Sequence, residues 1–199
     1  LADVHALLNR KGSEKEIKNE IQAWKKTIKA IGLKSEIVLG SDFQFRKEYQ
    51  EGVMILAQHA TINRGLRAMQ EVARDIENAT ISQLWYPLMQ VVDIKFLKID
   101  VALGGLEQRK IHMFGKDSHN LLKHDFIVVH TPLITSLKGD GKMSKSIPGS
   151  GIALTDSYEE IKKTVKEAFC PEKQIENNPL IQICKYIILP MSNKIKISR

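Results

Sequence analysis

The residues with the clearest chemical potential form a glycine-flanked segment, Gly139–Ser146, with the sequence GDGKMSKS. Lys142 and Lys145, three positions apart, and two serines offer ammonium groups and hydroxyls to a polyphosphate. Phosphoryl and nucleotidyl transfer depend mainly on positioning and on positive charge placed where negative charge develops. A mobile loop between glycines can supply that charge when it is needed. A solvated basic loop is the alternative, but six specified residues in this order are hard to obtain by chance.

A second group of polar residues lies at helical spacing inside an apolar segment. Tyr86, Gln90 and Asp93 follow the pattern i, i+4, i+7, which places them on one face of a helix. Their neighbours are apolar, so the pattern predicts a largely buried helix with a polar stripe. A buried carboxylate and a buried amide need hydrogen-bond partners. A bound ligand is one source of such partners; a solvated stripe or a polar network between packed helices is the other.

A third candidate is the turn Gly104-Gly105-Leu106-Glu107-Gln108, which follows a β-prone segment and leads into a helical one. Ligands of α/β proteins bind where strands end in this way, and glycines allow backbone to approach a ligand closely. Glu107 can accept hydrogen bonds from ribose hydroxyls, and Gln108 can both donate and accept. A simple tight turn remains the alternative for two glycines on their own.

The elements that would position these residues alternate between strands and helices. Short β-prone segments are predicted at residues 36–39, 100–103 and 126–130. Helical patterns cover residues 13–31, 49–57, 62–76, 81–97, 111–122 and 157–169, and a last helix begins at Asn178-Pro179. Two of these helices open with the capping-box pattern S-x-x-E. Strands that alternate with helices of a dozen residues predict an α/β fold with a parallel sheet.

Composition agrees with a globular protein that has a polyanionic partner. The chain has 199 residues, of which 43% are hydrophobic and 27% charged, and its net charge is +7. A basic balance favours nucleic acid, although it is weak evidence alone. No apolar run approaches about 18 residues, so no membrane helix is predicted. The two cysteines, Cys170 and Cys184, lie far apart and predict neither a metal site nor a disulfide, which fits a reducing cytoplasm.

Several segments together resemble one family. The GKMSKS segment looks like the second signature of class I aminoacyl-tRNA synthetases, and longer segments are similar to the tyrosyl members of the archaeal and eukaryotic branch. The segments that carry this resemblance are LADVHALLN (1–9), GSDFQ (40–44), YPLMQVVDI (86–94), DVALGGLEQRKIHM (100–113), GKMSKS (141–146) and AFCPEKQIENN (168–178). The resemblance implies a Rossmann-like parallel-sheet catalytic domain, followed by the start of an α-helical domain.

The resemblance also implies roles for residues around the amino-acid substrate. Tyr86, Gln90 and Gln108 would hold the amino group and backbone of tyrosine, and His5 belongs to the same pocket. Asp93 would accept a hydrogen bond from the phenolic hydroxyl. A buried acceptor of this kind disfavours phenylalanine, because binding it would leave a charged group unpaired.

A second set of residues would serve ATP. By resemblance, Glu107 would touch the ribose, and Lys142 and Lys145 would stabilise the pyrophosphate as the tyrosine carboxylate attacks the α-phosphate. The residues implied at the ATP site are Gly105, Glu107, Lys142, Met143, Ser144, Lys145 and Ser146. ATP would come with Mg²⁺, and neither a metal site of the protein itself nor a tightly bound cofactor is expected.

The implied reaction is tyrosine–tRNA ligation in the cytoplasm. Tyrosyl-adenylate would form first, and the tyrosyl group would then pass to the terminal adenosine of tRNA(Tyr). The expected partners are L-tyrosine, ATP and tRNA(Tyr), and the family usually works as a homodimer. No membrane partner is expected.

The chain departs from the family pattern at both ends. It lacks the first strand with its H-I-G-H-type segment and the pocket tyrosine that shares the substrate hydroxyl. Residues 1–155 are therefore expected to form an incomplete catalytic domain, and residues 156–199 the truncated start of an anticodon-binding domain. We expect a fragment of a longer product that has little activity alone.

Three other functions compete with this one. A tryptophanyl-tRNA synthetase would share the fold and the loop, but Gln90 with Asp93 argues against an indole pocket. A non-catalytic RNA-binding relic would explain the missing first signature. An adenylyltransferase acting on a small metabolite would not explain the polar stripe.

Overall fold

The computed structural model describes residues 1–9, 13–70, 78–144, 147–192 and 194–195. The chain divides into two compact units, Leu1–Thr131 and Pro132–Arg199. This division follows packing within the chain, and the catalytic boundary at residue 155 remains a prediction. Among the described helices, none has both the length and the apolarity that a bilayer crossing requires.

The first unit contains seven described helices and a short two-stranded parallel sheet. Its helices are α1 (Asp3–Asn9), α2 (Glu14–Ala30), α3 (Lys47–His59), α4 (Ile62–Met69), α5 (Ile81–Phe96), α6 (Arg109–Asp117) and α7 (His119–Leu122). Short 3₁₀ turns occupy Gly40–Asp42 and Leu106–Gln108. Its strands are β1 (Val101–Gly105) and β2 (Ile127–Thr131), which pair in parallel with Gly104 opposite His130. The predicted α/β class with a parallel sheet is confirmed.

The centre of the first unit is α5, which packs against α1, α3, α4 and α6. Val91 on this helix and Tyr49 and Val53 on α3 are fully buried. The two helices approach closely because Gly52 lies opposite Val92, whose methyl group would be 3.3 Å from a Cβ on the glycine. The core therefore holds the predicted polar stripe of α5 rigidly against its neighbours.

Local signals in the sequence located most helix starts. Capping boxes at Ser13 and Ser157 are present, and Asn178 caps the helix that begins with Pro179. The long helix predicted at 81–97 is confirmed as α5, which has a capping box of its own at Thr80. The last part of the predicted 62–76 helix, residues 71–76, lies outside the described residues.

One predicted element was wrong, and another is confirmed with a single interruption. Residues 36–39 are not a strand among the described residues; the segment pairs with Leu1, which accepts from the amide of Gly40 at 3.0 Å and donates from its terminal nitrogen to the carbonyl of Val38. The predicted helix 111–122 is interrupted at Ser118, whose hydroxyl donates to the carbonyl of Phe114 at 2.9 Å. The Ser118 amide still donates to the carbonyls of Phe114 at 3.2 Å and Gly115 at 3.0 Å, so the interruption is a tightened turn between the two helices.

The second unit consists of short helices and a loop that main-chain hydrogen bonds hold in place. Its helices are α8 (Tyr158–Lys166), α9 (Pro179–Ile183) and α10 (Leu189–Ser192), and a π-helical turn, Cys184–Ile188, joins the last two. The predicted helix 157–169 is confirmed over Tyr158–Lys166. Leu137 and Ser150 are buried at the base of the loop.

Candidate active site

The carboxylate of Asp93 is the centre of a hydrogen-bonded cluster in the first unit. Its Oδ1 accepts from the amide Nε2 of Gln44 and from the hydroxyl of Tyr49, both at 2.7 Å. The Tyr49 hydroxyl also lies 2.9 Å from the carbonyl of Met89. A phenol has one proton, and the charged acceptor is the stronger of the two. Tyr49 and Gln44 therefore fix the orientation of the Asp93 side chain.

His5 lies beside this carboxylate. Its ring is buried, with Nδ1 3.4 Å from the amide nitrogen of Gln44 and Nε2 3.8 Å from Oδ2 of Asp93. It meets the ring of Tyr86 edge-on, with 4.7 Å between the centroids. Burial lowers the pKa of His5 more than the charge of Asp93 raises it. The imidazole is therefore neutral near pH 7, and it adds no positive charge to the pocket.

Burial also governs the other titratable groups. It raises the pKa of Asp93, an effect that hydrogen bonds from Gln44 and Tyr49 oppose, as does the charge of His5 when that ring is protonated at low pH. The pKa of Tyr86 is raised by burial and by the charges of Asp93 and Glu107. The phenols of Tyr49 and Tyr86 thus remain protonated and can donate hydrogen bonds.

A second polar cluster connects the helix stripe with the glycine turn. The Nε2 of Gln90 donates to Oε1 of Gln108 at 3.0 Å, and the amide nitrogen of Gln108 lies 3.4 Å from Oε1 of Glu107. The Glu107 carboxylate folds over Gly105, where a Cβ would be only 2.2 Å from Oε2. Glycine is therefore needed at this position for the carboxylate to occupy its place.

Four buried polar atoms of these clusters have no hydrogen-bond partner among the described residues. They are His5 Nε2, Gln44 Oε1, Gln90 Oε1 and Glu107 Oε2. Leaving such an atom unpaired costs about 1–3 kcal/mol. Three of the four are oxygen acceptors, so a ligand with ammonium and hydroxyl donors would recover this energy. The arrangement therefore suits a small polar molecule rather than a purely apolar one.

The lysine-containing loop of the second unit is framed by main-chain hydrogen bonds. The amide of Met143 donates to the carbonyl of Ile134 at 2.9 Å, and that of Ser136 to Gly141 at 3.1 Å. Gly139 has a φ of +87°, which glycine adopts without strain. Lys142 is exposed, whereas Lys145 and Ser146 lie outside the described residues.

A cleft of about 800 Å³ opens beside the loop within the second unit. Lys142, Met143 and Ser144 line it from the loop, and Glu160 and Lys163 line it from α8. The described part of the predicted ATP-binding loop thus borders an accessible space.

A cluster of cations in the first unit was not singled out from the sequence. Arg64, Arg67, Arg109 and Lys110 surround a cleft of about 400 Å³ between α4 and α6. Arg64 is paired with Asp117, and Lys110 donates to Gln70 at 2.7 Å. Four cations around one cleft create a positive field that suits phosphates.

The structure gathers the predicted side chains of the first unit into the two neighbouring clusters described above, while the described loop residues Lys142, Met143 and Ser144 belong to the second unit. His5, Tyr86 and Asp93 form one, and Gln90, Gln108 and Glu107 the other. Sequence reasoning did not assign roles to Gln44 and Tyr49. Gln44 ends the GSDFQ segment, which was a usable signal, whereas Tyr49 has the spacing of an ordinary core residue.

Comparison with known proteins agrees with this architecture. The family model for class I tRNA synthetases (W and Y) matches residues 1–196. The chain is similar to the tyrosine–tRNA ligase of Methanocaldococcus jannaschii, with 45% identity over 94% of this chain and 60% of that protein. It is 42% identical to the tyrosine–tRNA ligase of Methanoculleus marisnigri, covering 100% of this chain and 63% of that protein.

A solved structure is similar over the same extent. The tyrosyl-tRNA synthetase of Archaeoglobus fulgidus, complexed with L-tyrosine, superimposes with a TM-score of 0.93 at 41% identity, covering 100% of this chain and 63% of that one. The chain thus spans about three fifths of the length of the curated relatives it matches. Because the match extends over nearly all of its residues, the chain belongs to the class I tRNA synthetases of the tryptophan and tyrosine group.

Proposed function

We propose that this chain carries the tyrosine site and part of the ATP site of a tyrosine–tRNA ligase. The observation that supports this most directly is the state of the Asp93 carboxylate. Gln44 and Tyr49 both occupy Oδ1, while Oδ2 has His5 as its neighbour at 3.8 Å, beyond hydrogen-bond distance. Oδ2 is therefore an oriented acceptor for a ligand hydroxyl. The phenolic hydroxyl of L-tyrosine fits it, and phenylalanine lacks the required donor.

The second cluster suits the other end of the same substrate. Gln90 Oε1 is a buried acceptor without a partner among the described residues, and the phenol of Tyr86 is nearby on α5. An α-ammonium group can donate up to three hydrogen bonds. We assign Gln90, Tyr86 and Gln108 to the amino-acid backbone, with His5 supporting the pocket through its contact with Tyr86. The similar Archaeoglobus protein, solved as a complex with L-tyrosine, supports a tyrosine site in this chain.

The proposed chemistry begins with ATP as its Mg²⁺ complex. A carboxylate oxygen of tyrosine attacks the α-phosphorus, the bond from that phosphorus to the bridging oxygen breaks, and pyrophosphate leaves. Lys142 and Lys145 would stabilise the charge that builds up on pyrophosphate. Glu107 and Gly105 would hold the ribose, and Met143, Ser144 and Ser146 would complete the loop contacts.

Transfer to tRNA(Tyr) follows in the proposed reaction. A hydroxyl of the terminal ribose attacks the carbonyl carbon of tyrosyl-adenylate, and AMP leaves. The cluster of Arg64, Arg67, Arg109 and Lys110 supports an RNA partner, because it offers several cations to a phosphate backbone. A homodimer in the cytoplasm is the assembly that we propose for the complete enzyme.

Amino-acid-dependent exchange of pyrophosphate into ATP tests the proposal. The full-length protein should show exchange with tyrosine and much less with phenylalanine or tryptophan. Exchange with tryptophan in place of tyrosine would overturn the tyrosine assignment. RNA binding without any exchange would indicate a non-catalytic relic instead.

A further inference from the structure

Ser150 lies outside the GKMSKS signature but is bonded to it. Its side chain is fully buried in the second unit. The hydroxyl accepts from the amide of Ser144 at 3.1 Å and donates to the carbonyl of Ser144 at 2.5 Å. One hydroxyl thus satisfies both main-chain polar groups of a single loop residue, as a paired strand would.

Gly151 leaves room for the side chain of Met143, the loop residue that precedes Ser144. A Cβ at this position would lie 2.4 Å from Cγ of Met143 and 2.8 Å from its sulfur. Real carbon atoms do not approach so closely, so any larger residue would displace the Met143 side chain. The requirement for glycine is spatial, because its φ is not in the left-handed region.

The pair Ser150 and Gly151, here called the loop seat, is itself attached to the interior of the second unit. The carbonyl of Ser150 accepts from the amide of Leu137 at 2.8 Å, and Leu137 is buried. The carbonyl of Leu137 in turn accepts from the amide of Phe169 at 2.7 Å. Through Ser150, the loop seat therefore connects Ser144 to the main chain of Leu137, and through Leu137 to that of Phe169.

We infer that the loop seat positions the second lysine of the signature. Ser144 immediately precedes Lys145 in the sequence, and the Ser150 hydroxyl bonds both polar groups of the Ser144 backbone. The inference rests on the proposed role of Lys145 at pyrophosphate. A displacement of about 1 Å at a reacting group can reduce a rate by about a hundredfold. Ser150 and Gly151 act through Met143–Lys145 and not on the substrate.

The first experiment does not depend on catalysis. Hydrogen–deuterium exchange across residues 140–148 of the full-length protein should be about tenfold faster in Ser150→Ala, because the Ser144 amide loses an acceptor. Ser118→Ala is the matched control, since Ser118 is also buried and donates to a main-chain carbonyl, but in the first unit. It should leave exchange in this segment unchanged. Unchanged hydrogen–deuterium exchange in Ser150→Ala would contradict the proposal that Ser150 holds the main chain of Ser144.

The second experiment asks whether the seat acts through Lys145. Ser150→Ala should lower the turnover of tyrosine-dependent pyrophosphate exchange about five- to tenfold with little change in the KM for tyrosine. Gly151→Ala should lower it at least as much, because Met143 must move. In a Lys145→Ala background, Ser150→Ala should have no further effect, since the group that it positions is gone.

The outcomes separate the two proposals. One outcome is faster hydrogen–deuterium exchange across residues 140–148 together with additive losses of turnover in the Lys145→Ala, Ser150→Ala double variant. It would overturn the positioning role and leave the loop seat as a structural contact. Absence of tyrosine-dependent activity in the unaltered protein would defeat the proposed function, and the hydrogen-exchange result would still decide the geometry of the seat.

Discussion

The Asp93 cluster and the lysine loop stabilise their key residues in opposite ways. Around Asp93, side chains from separate elements converge on one carboxylate oxygen, and every donor is partly or fully buried. In the loop, the main chain is held by hydrogen bonds to neighbouring main chain and to the Ser150 hydroxyl, while the Lys142 side chain is exposed. The Asp93 cluster thus fixes a side chain, whereas the loop contacts fix a main chain.

The difference follows from what each region has to recognise. A single hydroxyl is read by one hydrogen bond, whose strength falls steeply with distance and angle, so the acceptor must be fixed. A polyphosphate presents several charges, and attraction between charges depends less on direction. Long lysine side chains on a fixed backbone can therefore serve it. Four predictions test this contrast.

The largest effect is expected in the loop. Lys145→Ala should lower the rate of tyrosine-dependent pyrophosphate exchange about 100- to 1000-fold, because charge stabilisation of the transition state is lost. Tyrosine affinity, measured by equilibrium binding, should stay within about twofold if the lysine acts only on the transition state. Lys138→Ala, which removes a lysine outside the signature, is the control. Equal losses of rate and affinity would point to a folding role.

The next effect is on specificity at Asp93. Asp93→Ala should reduce the ratio of kcat/KM for tyrosine over phenylalanine about 10- to 100-fold, because a hydrogen bond to a charged acceptor is lost. Asp93→Asn keeps the shape and guards against simple unfolding. Asp125→Ala, at an exposed aspartate, should leave the ratio unchanged. An unaltered ratio in both Asp93 variants would mean that Asp93 is structural.

A smaller effect is expected from the donor that orients the carboxylate. Tyr49→Phe removes the hydroxyl that bonds Oδ1 of Asp93 and should raise the KM for tyrosine about three- to tenfold. Turnover should change little, since the hydroxyl does not touch the reacting atoms. Tyr158→Phe, at an exposed phenol, is the matched control. If phenylalanine activation falls by the same factor, Tyr49 contributes only to folding.

The smallest effect near neutral pH concerns protonation. Burial raises the pKa of Asp93 above its ordinary 3.8, so the carboxylate takes up its proton at a higher pH than an exposed aspartate does. Tyrosine affinity should therefore fall as the pH is lowered toward 5, because a protonated carboxyl is a weaker acceptor. Binding titrations from pH 7.5 to 5 would measure this. The same fall in Asp93→Asn would assign it to another group.

Some features of the molecule could be predicted from local sequence because their causes are local. The capping boxes at Ser13 and Ser157 involve residues three positions apart, and α5 follows from helical spacing over 16 residues. Parallel pairing of the strands follows from their alternation with helices. The strand at 36–39 was wrong for the converse reason, since a strand depends on a partner that local pattern does not reveal.

The sequence by itself determined which residue types stand together: the α5 stripe, the glycine turn and the two-lysine loop. Only the tertiary structure decided what holds them. Gln44 and Tyr49 reach Asp93 across 49 and 44 positions of chain, and Ser150 reaches back six positions to Ser144 through a hydroxyl that is buried only in the folded unit. Helical periodicity and capping act over a few residues, whereas these hydrogen bonds exist only after packing brings distant side chains within 3 Å or so of each other.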